Sequence, residues 1–207
     1  MSAFTVTPLV VLEEQFGVLV GQLSVSNALG DVQYEVTTGA DKFMVDNDND
    51  QLRVKPSVAL DFEQAQTHSV VVRATDQGRS DGLEEITKTF VVSVSDVNES
   101  PTLHSTVIAE SPVGVPTAPG QTIATYAVQD SDAGDDVNAE LTVGPSEFSI
   151  QKTSNGGGAF TFVITSSTSY YTDGSDVDLT IRFYDYGGAS VMDSISIPAV
   201  HPPPPSP

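Results

Sequence analysis

Residues 87–101 read Thr-Lys-Thr-Phe-Val-Val-Ser-Val-Ser-Asp-Val-Asn-Glu-Ser-Pro. The stretch 87–94 is β-branched and aromatic, the composition of a strand, and the pattern then stops at Asp96-Val97-Asn98-Glu99-Ser100-Pro101. Strand signals lie on both sides of this break. Before it they fall at 4–12, 18–25, 32–36, 51–54 and 68–75, and after it at 105–109, 121–128, 140–143, 147–151, 160–165, 178–183 and 191–197. Gly, Asp, Asn or Pro bounds each run, and no helical pattern of convincing length occurs. Turn signals about every ten residues predict an all-β fold of two tandem seven-stranded Greek-key β-sandwiches. The predicted boundaries are 1–99 for the first repeat, 100–200 for a divergent second repeat and 201–207 for a Pro-rich tail or linker.

Weak internal similarity supports the division. Glu13-Glu14-Gln15-Phe16-Gly17 has a counterpart in Glu110-Ser111-Pro112-Val113-Gly114, and Arg73-Ala74-Thr75-Asp76-Gln77-Gly78 in Arg182-Phe183-Tyr184-Asp185-Tyr186-Gly187. Residues 1–101 carry 16 acids and 6 bases, and residues 102–207 carry 12 and 2, so each half has a charge of −10. Neither half is an acidic appendage to the other. The end, from His201 through four prolines to Ser206 and Pro207, reads as polyproline II, a linker or the start of a stalk.

Composition removes several function classes. Without cysteine there is no disulfide framework, thiol nucleophile or Cys-ligated zinc, and a charge of −20 repels nucleic-acid phosphates and anionic lipid. The longest apolar runs, such as Val70-Val71-Val72, are strand-sized, so direct membrane insertion of this fragment is not expected. The start, Met-Ser-Ala-Phe-Thr-Val, lacks the pattern of a secretion signal, which leaves an intracellular protein or a piece of a longer precursor.

The acids are placed in a way that suggests chemistry. Asp61-Phe62-Glu63, Asp96-Val97-Asn98 and Asp130-Ser131-Asp132 each set two oxygen-bearing side chains at i and i+2, which extended backbone turns to one face. Calcium takes six to eight oxygens at about 2.3 to 2.6 Å and tolerates irregular geometry, so such pairs suit it, while any one pair alone also reads as a solvated acidic turn.

Taken in order, Glu13, Leu60-Asp61-Phe62-Glu63, Ala74-Thr75-Asp76-Gln77-Gly78, Asp96-Val97-Asn98-Glu99-Ser100-Pro101, Asp130-Ser131-Asp132 and Asn138-Ala139 resemble the motifs of cadherin repeats. The resemblance spans both halves. It implies immunoglobulin-like, cadherin-type sandwiches and a cluster of about three calcium ions at the junction of the two domains. The implied ligands are Glu13, Asp61 and Glu63 from the first domain, with Asp96, Asn98, Glu99 and the carbonyls of Val97 and Ser100 from the linker. Asp130, Asp132, Asp185 and the carbonyl of Asn138 complete the set from the second domain. Glu99 stands where the family has Asp, one methylene longer, and Glu14 is the alternative to Glu13. Two carboxylates about 4 Å apart repel by roughly 4 kcal/mol at an effective dielectric near 20, so this acid set would need cations to hold it together.

Departures from the family pattern limit the expected clusters to one. Ser26-Asn27-Ala28-Leu29-Gly30-Asp31 replaces an Asp-x-Asp near Asp76, and the second domain has Tyr170-Tyr171-Thr172-Asp173-Gly174 in place of Leu-Asp-x-Glu. Asp46-Asn47-Asp48-Asn49-Asp50 begins like an EF-hand loop, but Gln51 stands at the glycine position and Ser57 at the terminal glutamate position. It reads as a hairpin tip. Asn155-Gly156-Gly157-Gly158 reads as a flexible hairpin loop, because a phosphate cradle needs a following helix. Asn98-Glu99-Ser100 matches a glycosylation acceptor, but Pro101 follows and Asn98 is an implied ligand.

His68, His104 and His201 form no evident triad or metal site, and no enzyme is expected. A carbohydrate module would need exposed aromatics. The one cluster, Tyr170, Tyr171, Tyr184 and Tyr186, is expected to pack in the sandwich. The resulting expectation is a calcium-binding adhesion or spacer module, extracellular or at the cell surface, cut from a longer secreted or membrane-anchored protein. Its partner would be another cell-surface or extracellular protein, or further domains of the same chain. The alternative is a non-adhesive structural shaft or surface-filament component with a polyproline stalk.

Overall fold

The computed structural model describes residues 3–78, 84–109, 118–132, 134–167 and 176–197, and all regular structure among them is strand. The chain divides into two compact units, Met1–Val97 and Asn98–Pro207.

The first unit contains β1 (Phe4–Thr7), β2 (Val10–Leu12), β3 (Leu19–Val25), β4 (Val32–Thr38), β5 (Phe43–Asp46), β6 (Gln51–Val54), β7 (Thr67–Asp76) and β8 (Glu84–Ser95). They form two four-stranded sheets, β1-β3-β6-β5 and β2-β8-β7-β4. Strand period decides what is buried: Val70, Val72, Ala74 and Asp76 of β7 point inward, while Ser69, Val71, Arg73 and Thr75 alternate with them on the more accessible face. With Phe4, Val20, Phe43, Leu52, Val54, Phe90 and Val92 they close one apolar core. Burying each such Val or Phe side chain contributes roughly 1.5–3 kcal/mol.

The run 4–12, expected as one strand, is two. Pro8 lacks a backbone N–H and interrupts the ladder, so β1 pairs antiparallel with β3, Phe4 opposite Val25, and β2 pairs parallel with β8, Val11 opposite Val94. One chain segment thus edges both sheets. Strand β5 was not foreseen, because its four residues run straight into the acidic tip; the β5–β6 hairpin closes around residues 47–50.

The second unit contains β9 (Thr102–Ile108), β10 (Thr122–Gln129), β11 (Asn138–Val143), β12 (Phe148–Gly156), β13 (Ala159–Ser166), β14 (Val177–Tyr184) and β15 (Ser190–Ile197). Its sheets have the orders β12-β13-β10-β9 and β11-β14-β15. The core between them is built on Tyr126, Phe162 and Phe183, with Tyr126 and Phe162 ring centroids 5.0 and 5.2 Å from that of Phe183. Both units are Greek-key β-sandwiches.

Tyr186 does not pack in the sandwich. Asp185 turns inward and is 3% exposed, so alternation turns Tyr186 out at 92%. Tyr184 is half-buried under the Arg182 guanidinium, 5.1 Å from its ring centroid. Glu110, Tyr170, Tyr171, Asp173 and the tail from His201 lie outside the described residues.

Candidate metal centre

In the first unit the buried carboxylate of Glu13 organises one end of the sandwich. Its Oε2 accepts the backbone N–H of Phe62 and its Oε1 that of Val97, both at 2.7 Å. Glu13 is 2% exposed, and its own N–H donates to Ser95 O at 3.1 Å. The segment carrying Asp61 and Glu63 and the segment carrying Asp96 are therefore tied to one side chain. Glu14 is exposed, with a φ of 57°, and its backbone N–H donates to Leu60 O. Of the two glutamates, Glu13 is the one placed among the predicted acids.

The extended reading of Asp61-Phe62-Glu63 does not hold. Residues 62–64 form a turn that Asp61 caps, its Oδ1 accepting the N–H of Gln64 and its Oδ2 the Gln64 side-chain amide, both at 2.7 Å. Short polar side chains compete in this way for nearby backbone donors. Glu63 and Asp96 are exposed.

In the second unit three aspartates are buried together: Asp130, Asp132 and Asp185 at 2%, 7% and 3% exposure. Asp130 Oδ1 accepts the N–H of Asp132 at 3.0 Å, and Asp132 Oδ2 accepts the N–H of Glu99 at 2.9 Å. Asp185 Oδ1 accepts from Gly188 N at 2.5 Å and Ala189 N at 2.9 Å, and its Oδ2 from Asn98 Nδ2 at 3.0 Å. Ser131 Oγ donates to Glu99 Oε2 at 3.2 Å. Asn138, at the start of β11, pairs with Tyr184, and Ser100 is exposed.

Among the described residues of this unit, Asp130 Oδ2 and Asp132 Oδ1 are both buried with no hydrogen-bond partner. Burial raises the Asp130 carboxyl above the usual carboxylate range. The charges of Asp132, Asp185 and Asp135 push the same way, and the N–H of Asp132 opposes them. Asp135 is raised as well, by burial and by the charges of Asp132 and Asp185. Unpartnered buried carboxylate oxygens are costly, and a hard, oxygen-seeking cation would satisfy them. The donor set fits calcium.

Two glycines make this packing possible. Gly158, with φ 75°, accepts the N–H of Asp130 on its carbonyl at 2.9 Å, and a Cβ there would overlap Asp130 O. A Cβ on Gly187 would overlap the Asn98 amide. Lys152, which motif reading passed over, donates to Asp136 and to Asn138 Oδ1. Its position on β12 gives no signal in sequence, because the contact reaches 14 residues back.

No profile of a known protein family matches the chain. Among curated proteins it is 36% identical over 99 residues to Cadherin-related family member 1 of Gallus gallus, covering 46% of this chain and 11% of that protein. It is 28% identical over 184 residues to the Protocadherin-like wing polarity protein stan of Drosophila melanogaster, covering 80% and 5%. Among solved structures, human Protocadherin-24 EC1-2 aligns over 98% of both chains with a TM-score of 0.64 and 20% identity, a likeness that bears on the fold. The chain carries cadherin-like repeats. It spans 11% and 5% of the length of the two curated relatives.

Cadherin extracellular domains generally act in adhesion and bind calcium, and they are typically non-enzymatic. Cadherin repeats are found outside the cell or at its surface, and no helix among the described residues is long and apolar enough to cross a membrane. Against that background the two repeats use corresponding aspartates differently. Asp76 accepts the N–H groups of Leu29 at 2.8 Å, Gly30 at 3.1 Å and Gly78 at 3.0 Å, so its carboxylate closes a loop at the far end of the first repeat. Gly30 and Gly78 approach so closely there that a Cβ on either would overlap the other's backbone. Asp185 also accepts backbone N–H groups, those of Gly188 and Ala189, but sits beside two other buried aspartates.

Proposed function

We propose that this chain is a calcium-binding extracellular adhesion or spacer module, in which about three calcium ions at the junction of the repeats make the tandem rigid. The ligands are Glu13, Asp61, Glu63 and Asp96 from the first unit, and Asn98, Glu99, Asp130, Asp132 and Asp185 from the second, with carbonyls of Val97, Ser100 and Asn138. The observation that carries this reading is the pair of buried, unpartnered oxygens Asp130 Oδ2 and Asp132 Oδ1. Millimolar extracellular calcium suits modules with dissociation constants of roughly 10⁻⁴ to 10⁻³ M. The partner is another extracellular protein or further domains of the same chain.

Titration calorimetry with calcium and with magnesium tests the reading. Irregular sites of seven or eight oxygens favour the larger ion, whereas magnesium demands a near-ideal octahedron, so calcium should bind and magnesium should compete poorly. Equal affinity for the two ions, or no heat at millimolar calcium, would sink it.

A further inference from the structure

Residues 102–207 hold twelve acids and only two bases, Lys152 and Arg182. Arg182 is engaged along β14, 3.3 Å from Glu140 and over the Tyr184 ring. Lys152 lies beside Asp136, which shares a cavity with the buried Asp130 and Asp132. From β12 its ammonium donates to Asp136 Oδ1 and, at 3.4 Å, to Asn138 Oδ1, and it stands 4.9 Å from the centroid of the Phe160 ring. Phe160, Asp130, Asp132, Asp135, Asp136 and Gly158 line one cavity of about 510 Å³. The lysine side chain is 25% exposed and its Asp136 partner 65%.

Lys152 therefore joins β12 of the four-stranded sheet to the segment that enters β11 of the three-stranded sheet. That segment runs from Asp135 and Asp136 to Asn138, whose carbonyl is among the proposed ligands.

We infer that Lys152 is an internal counter-cation of the second repeat's calcium half-site: it holds the Asp136–Asn138 segment in place without metal and opposes the metal when it binds. This rests on the calcium reading above. Without the ion, its positive charge, paired with Asp136, offsets part of the repulsion among the acids that line this cavity. With the ion, the same charge repels a divalent cation and lowers its affinity, so the lysine sets the calcium threshold from inside the fold. Asp136 moderates this, because the ion pair directs the ammonium toward it.

The test uses the whole chain and three variants. Lys152→Met keeps an aliphatic stem against Phe160 and removes the charge. It should lower the melting temperature in chelator yet tighten calcium binding, roughly two- to fivefold in low salt and less at high salt. Asp136→Asn releases the lysine from its carboxylate and should weaken calcium binding. Lys152→Arg should behave as wild type in both measurements. A purely structural lysine predicts weaker calcium binding for both Lys152→Met and Asp136→Asn, and that result, or an unchanged affinity in Lys152→Met, would overturn the inference. A wild-type chain that binds no calcium would instead overturn the metal reading on which it rests.

Discussion

Asp132 accepts the backbone N–H of Glu99 through Oδ2 at 2.9 Å, while its Oδ1 is buried without a partner. Asp130 is divided in the same way, with Oδ1 on the N–H of Asp132 and Oδ2 unpartnered. Each carboxylate thus has one oxygen fixed by backbone and one left over. The fixed half sets the rotamer without any ion, so on the calcium reading proposed above ligand ordering would cost little at the moment of binding. The cost falls on the metal-free protein, where like charges share a buried site.

Removing charge from this set should weaken calcium binding. Asp132→Asn retains an acceptor for Glu99 N–H, so its effect reports the lost charge and the lost ligand oxygen. A tenfold loss, about 1.4 kcal/mol, is expected for it and for Glu63→Gln in the other unit. Asp48→Asn is the control, because Asp48 lies in the exposed tip of the β5–β6 hairpin. Calorimetry showing an equal loss for Asp48→Asn would put the calcium in the hairpin loop instead.

Glu13 has a structural role as well as a proposed ligand role. Both of its oxygens accept backbone N–H groups, and substitution by alanine would strip two partly buried donors of their acceptor. Hydrogen bonds to charged groups contribute about 1.5–3 kcal/mol each, so Glu13→Ala should destabilise the first unit by at least that much in chelator, whereas Glu14→Ala should change little. Denaturant unfolding without calcium reads the difference. Equal, small effects would mean that Glu13 serves the metal alone.

The strands were legible because alternation and turn residues are local signals, as in β6 and β7, where inward Leu52, Val54, Val70 and Val72 alternate with polar or outward positions. The conformation of each acid was not. Asp61-Phe62-Glu63 read as extended because its spacing fits one face, but the Gln64 donors are decided by a turn that spacing does not encode. Motif order brought Glu13, Asp130, Asp132 and Asp185 to notice, yet nothing in that order shows that Glu13 binds backbone at both oxygens. The contacts of Lys152 and of Gly158, which read only as part of a hairpin loop, were silent for a further reason: their partners, Asp136 and Asp130, lie 16 and 28 residues away in sequence and meet them only when the second sandwich closes.

Gly158 should resist replacement. Its φ of 75° disfavours any L side chain, and the new Cβ would press on the carbonyl of Asp130. Backbone strain alone is worth roughly 1–3 kcal/mol. Gly158→Ala should lower the melting temperature and weaken calcium binding together, because the strand end that carries Asp130 must shift. Gly156→Ala, at a position with open space around it but a similar φ of 82°, should cost stability without the calcium effect. Matching calcium affinities for the two variants would detach the loop from the metal site.

Acid should selectively weaken the first unit through His68. Burial holds this imidazole below its ordinary value, with the charge of Lys42 acting the same way and Asp41 opposing, and its Nε2 is buried without a partner. As pH falls through about 6.5 the unfolded chain takes up a proton that the folded chain refuses, so stability is lost from there down to the folded value and is unaffected above neutrality. His68→Gln should flatten this part of the profile. Melting curves in chelator between pH 7.5 and 5.5 that run parallel for wild type and variant would remove His68 from the account.

Mechanics is the level at which the proposed function operates. Calcium bridging carboxylates from both repeats and from the segment between them should remove hinge freedom that a short connection otherwise retains. The sandwiches owe their stability to apolar strands such as Val70-Val71-Val72 and Ile195-Ser196-Ile197, so chelation should free the junction and leave the β content unchanged. Small-angle scattering should show a single, longer maximum dimension in calcium and a broader spread of shapes in chelator, with superimposable circular dichroism. Asp132→Asn at intermediate calcium should resemble the chelated form, because its affinity is lower while its fold is intact. Identical scattering in calcium and in chelator would leave a junction that is rigid by packing or mobile throughout, and calcium would then have no part in the spacing of the two repeats.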